Sequence, residues 1–237
     1  MSVLVVSGTG TGVGKTVVTA AVAALAATRG ASVAVVKPAQ TGVAPGEAGD
    51  LHHVYRLAGV TDLHEHARYP DPLSPASAAR RSGLPALDLH DSAARVRGLA
   101  ADRDLVVVEG AGGLLVRYDD EGLTIADLAR DLSAPVLVVA DPALGTLNHT
   151  ALTLEALAHR GIALAGVVLG SWPDEPDLAC RSNVRDLETL SARPLCGAVR
   201  EGVGDLDGPE FLLAARDGLG PSLGGAFDAA DFRRAAD

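Results

Sequence analysis

A doubly wound α/β fold, with a mainly parallel sheet flanked by helices, follows from three features of the 237-residue sequence. Six short apolar runs are continuous rather than alternating, as strands buried on both faces require. Segments of helical character separate them in turn. A glycine-dense loop follows the first run directly and leads into the first of those helical segments.

Residues 3–7 form a compact run with β-branched residues, a strand. Residues 15–28 are Ala-rich and free of Gly and Pro, so a helix is predicted that Gly30 closes. Residues 33–36 give a second strand ending at Lys37 and Pro38, and strand, helix, strand makes a βαβ unit with a right-handed crossover. Residues 39–104 are less regular, with a loop over 41–49, a helix from Asp50 to Leu57, a proline-punctuated turn over 69–75 and a helix over 88–100. Regularity then returns. Strands are predicted at 105–108, 136–140, 164–169 and 195–199, with helices at 124–132, 146–159 and 181–190 between them. Residues from Gly218 onward read as a short final helix or a loose tail. No internal repeat or linker divides residues 1–237, so a single domain is expected.

Composition narrows the class. No apolar run approaches the roughly 20 residues of a membrane span, and no basic stretch precedes a long apolar one at the start, so neither membrane nor export is expected. A net charge of −10 without any Lys/Arg block argues against nucleic acid as a partner. Cys180 and Cys196 form no C-x-x-C pair and read as reduced thiols, consistent with a cytoplasmic protein. His52, His53, His64 and His66 lack the spacing of a helical zinc motif and read as surface histidines.

The chemistry is expected beyond the carboxyl ends of the strands, where open α/β sheets bind ligands. The loop SGTGTGVGKT (residues 7–16) stands between strand and helix, the context of a phosphate-binding loop. Its glycines let backbone amides turn inward around a phosphate, and the helix N-terminus adds its partial positive charge. Lys15 would reach the terminal phosphates and Thr16 a magnesium ion. Gly8 and Gly14 are separated by five residues where the usual pattern has four. Lys37 is either an exposed strand cap or a second cation in the cleft, with Thr41 across a short turn. Glu109 follows a strand at the place where an acid associated with Mg²⁺ is usual, and Asp50 is either a second ligand or a helix cap. Gly110, Ala111 and Gly112 bring amides close to a ligand or make a tight turn. Residues 141–150 follow a strand and enter a helix whose free amides suit a small carboxylate, or form an ordinary N-cap at Thr146 or nearby.

Read together, SGTGTGVGKT, KPAQTG (37–42), YPDPLSP (69–75), VEGAGG (108–113) and LGTLNH (144–149) resemble the dethiobiotin synthetase family of P-loop NTPases, in its order and near its spacings over about the first 200 residues. That resemblance implies the Rossmann-like three-layer architecture, ATP or another nucleoside triphosphate as co-substrate, Mg²⁺, and closure of the ureido ring of dethiobiotin from 7,8-diaminononanoate and CO₂. It implies the amides of Gly12, Val13, Gly14, Lys15, Thr16 and Val17 around the phosphates, Thr16, Asp50 and Glu109 at the metal, and Lys15, Lys37 and Thr11 at the reacting groups. Thr41, where the family often has Ser, would sit at the diamine end. Leu144, Gly145, Thr146, Leu147 and Asn148 of a second subunit would hold the substrate carboxylate, so a homodimer is expected. The base would lie against Gly170, Ser171, Arg200, Glu201 and Gly202. Many members have a base-reading Asn where this chain has Gly170 and a Pro where it has Arg200, so relaxed or altered base selectivity is expected.

Two other classes share parts of this pattern. Switch ATPases of partitioning and septum positioning carry a signature Lys where this loop has Gly10. Amidotransferases of cobalamin synthesis need a glutaminase domain with a nucleophilic Cys, for which 237 residues leave no room.

Overall fold

The computed structural model describes residues 3–236. Its strands are β1 (Val3–Gly8), β2 (Val33–Thr41), β3 (Leu63–Tyr69), β4 (Leu105–Gly113), β5 (Val136–Ala140), β6 (Leu164–Trp172) and β7 (Gly197–Arg200). Among the described residues they make one sheet in the order β3-β2-β4-β1-β5-β6-β7, and neighbouring strands are parallel. The helices are α1 (Lys15–Thr28), α2 (Asp50–Ala58), α3 (Pro75–Ser82), α4 (Leu89–Asp102), α5 (Ile125–Asp131), α6 (Thr146–His159), α7 (Leu178–Ser191), α8 (Gly208–Gly218) and α9 (Ala229–Ala236).

The continuous valine runs have a direct structural cause. Successive side chains of a strand point to opposite faces, so a strand covered on both sides must be apolar at every position. Val5, Val36, Val108 and Val138 enter one core, against α4 and α5. Val6, Val35, Val107 and Val139 enter the other, against α1, α2 and α8. The helix after β1 and the helix after β4 therefore pack on opposite faces of two adjacent strands. Their loops diverge there, and the crevice between them is the switch point where ligands bind in such sheets.

Three strands run three or more residues past their expected carboxyl ends. β2 continues beyond Pro38 because Ala39, Gln40 and Thr41 pair with Ala67, Arg68 and Tyr69 of β3. Lys37 thus stands inside a strand, and the residues expected to form a turn before Thr41 are extended. β4 continues to Gly113, which pairs with Gly8 across a register shift, so Glu109 and the glycines after it are also in strand. β6 carries Gly170 and Ser171 to Trp172. These extensions follow from pairing with neighbours distant in sequence.

β3 went unpredicted because its sequence, LHEHARY, is polar, and polar residues suit an edge strand. α3 and α8 were likewise unforeseen; α8 packs through Phe211 and Ala215. The final segment resolves as the helix α9. Phe232 meets Trp172 edge-on with ring centroids 4.9 Å apart, and Phe227 lies 5.1 Å from Phe232. Among the described residues no helix is long and apolar enough to cross a membrane.

His64 and His66 lie on β3 and are partly buried, not the surface residues expected. His66 Nδ1 is hydrogen-bonded to the buried Ser92 Oγ at 2.8 Å. Burial first, then the nearby Arg95 and His64 charges, lower its pKa from 6.5 to about 4. In the unfolded chain His66 takes up a proton near its ordinary value. The native state resists that proton, so its stability is unaffected above about pH 6.5 and declines as pH falls toward 4. His66→Asn should flatten this part of the profile. Urea midpoints at pH 7.5 and 5 check it, and parallel pH dependences of variant and parent contradict it.

Candidate active site

The loop after β1 is shaped by glycines at two demanding positions. Gly12 and Gly14 have φ of 78° and 91°, in the left-handed region. Gly14 is constrained twice, since a Cβ there would lie 2.3 Å from the carbonyl oxygen of Gly170. Behind the loop α1 begins without a side-chain cap, so its first-turn amides have no intrahelical acceptor and face the crevice with the positive end of the helix. Lys15 Nζ donates to the Gly10 carbonyl at 2.8 Å, spanning the loop.

Lys37 is 3% exposed, and Glu109 is fully buried. The Lys37 ammonium lies 2.5 Å from Asp50 Oδ2 and 2.8 Å from Glu109 Oε1, and donates to the Gly110 carbonyl at 3.3 Å. Thr16 Oγ1 donates to the same Glu109 oxygen at 2.9 Å. Burial disfavours charge on Lys37, but the Glu109 and Asp50 carboxylates outweigh it and hold its pKa above the ordinary lysine value. Burial likewise opposes ionisation of Asp50, and Lys37 prevails there, lowering its pKa. Lys15 goes the other way: burial, with Lys37 repelling it, lowers its pKa to about 8.

These groups line a cleft of about 630 Å³. Of the residues singled out in the sequence, Thr11, Gly12, Gly14, Lys15, Thr16, Val17, Lys37, Thr41, Asp50, Glu109, Ala111 and Gly112 share it. Residues 72–75 of the proline-rich turn close one side. Lys37 is thus enclosed in the cleft and is not an exposed strand cap. The Asp50 carboxylate also faces the cleft, although the residue opens α2. Oxygens of Asp50 and Glu109 meet at the Lys37 ammonium, Thr16 Oγ1 adjoins the same Glu109 oxygen, and Glu109 Oε2 is buried without a hydrogen-bond partner. An all-oxygen set with two carboxylates and one unsatisfied oxygen suits a hard divalent ion.

Gly110 joins the cluster through its carbonyl, which accepts from Lys37, and the other residues lie elsewhere. Val13 packs in the core, with its carbonyl against Gly170. Residues 144–148 follow β5 and do not line the cleft of their own chain; Leu144 is 88% exposed, whereas Thr146 is buried. Arg200, Glu201 and Gly202 border a second cavity of about 610 Å³ with Trp172, Phe227 and Phe232. Gly170 turns out to be a packing position. A Cβ there would fall 1.9 Å from the Val13 carbonyl oxygen and 2.5 Å from Val139 Cγ1, so no side chain can read a base from this place.

Sequence reasoning passed over Gln40, Arg68 and Tyr118. The fully buried Tyr118 hydroxyl accepts the Ala111 N–H at 2.7 Å and fixes the end of β4. No local pattern marks such a residue, because its partner is set by the return of the chain.

A parallel sheet with a Gly-Lys-Thr loop at its switch point, and an acid at the end of the adjacent strand, defines a P-loop nucleotide-binding protein. A family described as an AAA domain matches residues 2–203. Among solved structures, the septum site-determining protein MinD complexed with Mg-ADP from Pyrococcus horikoshii aligns with a TM-score of 0.53 at 18% identity, covering 90% of this chain and 86% of that one, a likeness of fold alone. Closer in sequence is an ATP-dependent dethiobiotin synthetase of Parafrankia sp., 68% identical over 99% of this chain and 98% of the relative. Another from Streptomyces avermitilis is 57% identical over 99% of both. The chain belongs to the ATP-dependent dethiobiotin synthetase family.

Gly170→Ala should destabilise the protein by about 1–3 kcal/mol, the usual cost of forcing extra atoms into a packed site. Chemical denaturation checks this, and an unchanged midpoint contradicts the packing role.

Proposed function

We propose that the chain is a dethiobiotin synthase, a ligase of biotin biosynthesis that joins 7,8-diaminononanoate and CO₂ at the expense of ATP. The observation that carries this reading is the meeting of Lys37, Glu109, Asp50 and Thr16 beside the phosphate-binding loop. An amine of the substrate captures CO₂ as a carbamate, and a carbamate oxygen attacks the γ-phosphate. The second amine then displaces phosphate from the mixed anhydride and closes the ring. Little covalent work falls to the protein, whose task is to position and stabilise charge.

The amides of residues 12–17 cradle the phosphates, and Lys15 and Lys37 stabilise the charge spreading over the transferring group. Thr16, Asp50 and Glu109 hold Mg²⁺, which when bound neutralises phosphate charge. Thr11 and Thr41 face the carbamate and the diamine. The carboxylate tail meets residues 144–148 of a second copy, in a cytoplasmic homodimer. Supporting this, those residues sit outside their own cleft, and Leu144 before α6, Leu152 on α6 and Leu178 at the start of α7 expose apolar surface. The base lies against Gly170, Ser171 and residues 200–202. With no side chain possible at 170, selection there falls to backbone groups, and turnover with CTP, GTP or UTP should approach that with ATP. A strong preference for ATP counts against this.

The activity is tested with diamine, bicarbonate, Mg²⁺ and ATP, following phosphate release with and without diamine. Release should depend on the diamine and match dethiobiotin formed. Diamine-independent hydrolysis without product overturns the reading and favours a switch ATPase. Lys37→Met should lower turnover by a factor of about 10²–10³, the effect of removing one charge-stabilising donor. Full activity in that variant removes Lys37 from the chemistry.

A further inference from the structure

Asp50 is carried by a helix start at the end of a glycine-rich loop, residues 42–49. Lys37 and Glu109 stand on strands inside the sheet. Something must hold the loop if the Asp50 carboxylate is to meet them reproducibly. The residue before it offers nothing, since Gly49 has no side chain to cap α2.

The cap comes from the sheet. Gln40, on the same strand as Lys37 and 4% exposed, accepts the Asp50 N–H through Oε1 at 2.8 Å and donates through Nε2 to the Thr41 carbonyl at 3.2 Å. Gly49 is what admits it: a Cβ there would lie 2.6 Å from Gln40 Oε1 and 3.1 Å from Arg68 Nη2. Arg68 pairs with Gln40 in the strand register and secures the rest of the loop. Its Nη1 donates to the carbonyls of Ala44 at 3.1 Å and Glu47 at 2.8 Å. Its Nε and Nη2 donate to the two oxygens of Glu65 at 2.6 and 2.9 Å, a bidentate pair that fixes the plane of the guanidinium.

We propose that Gln40 and Arg68 are positioning residues that clamp the 42–49 loop to the sheet and hold the Asp50 carboxylate at the divalent-cation site. The inference rests on Asp50 being a ligand, as proposed above. Neither residue need touch substrate; each acts through Asp50. Partners that orient a ligand commonly change metal affinity by about 10–100-fold.

The test counts free Mn²⁺ by electron paramagnetic resonance during titration of the whole protein, with no nucleotide present to chelate the ion. Gln40→Met should weaken Mn²⁺ binding about tenfold. Asp50→Asn should also weaken it, and the double variant should bind no more weakly than Asp50→Asn alone. That non-additivity is what a merely structural role lacks. If Gln40→Met does not fold, Arg68→Met, which removes the loop's other anchor, takes its place in the same cycle. Wild-type affinity in the folded Gln40 or Arg68 variant, with Asp50→Asn weakened, overturns the clamp alone. Full additivity also overturns it. Wild-type affinity in Asp50→Asn overturns both the ligand reading and the clamp.

Discussion

The Lys37 ammonium lies where Glu109 is wholly buried and Asp50 arrives from a helix start, and charges so enclosed persist only when paired at hydrogen-bonding distance. The remaining architecture makes that meeting possible. Lys37 and Glu109 sit on β2 and β4, which pair directly, and Thr16 comes from the helix behind β1 on the other side of β4. One cation and two carboxylates thus stand beside the switch point, where the helices after β1 and β4 leave on opposite faces of the sheet. Removing a single partner would leave buried charge uncompensated, the costly case for any ion pair.

This arrangement also explains why the glycines are where they are. The phosphate-binding loop must approach β6 closely enough that neither Gly14 nor Gly170 can bear a Cβ. Both sides of that contact are therefore backbone. On the opposite side, Gly49 leaves room for Gln40 to reach the start of α2. Glycine serves close approach at both places.

Much of this was legible in the sequence, for reasons that are local. Valine runs buried on both faces declare a parallel sheet, and a Gly-Lys-Thr loop between strand and helix declares its own function. Lys37, Asp50 and Glu109 could be nominated from their places after strands or at a helix start. Their contact could not, because it depends on register between β2 and β4. The same limit hid the extension of β2 past Pro38, which rests on pairing with β3, itself obscured by the polar side chains of an edge strand. Gln40 and Arg68 were invisible for a like reason. A hydrogen bond from Arg68 to Glu47 leaves no periodic trace, and only the folded chain brings them together.

The central claim is that the cleft activates a carbamate by transfer of the γ-phosphoryl group to its oxygen. Turnover with ¹⁸O-labelled bicarbonate, quenched before exchange with water and read by mass spectrometry of the phosphate released, tests that step itself. One ¹⁸O should appear in each inorganic phosphate formed with dethiobiotin, because the carbamate oxygen that attacks phosphorus leaves with it. Phosphate carrying oxygen from water alone would mean hydrolysis at this site and would contradict the account.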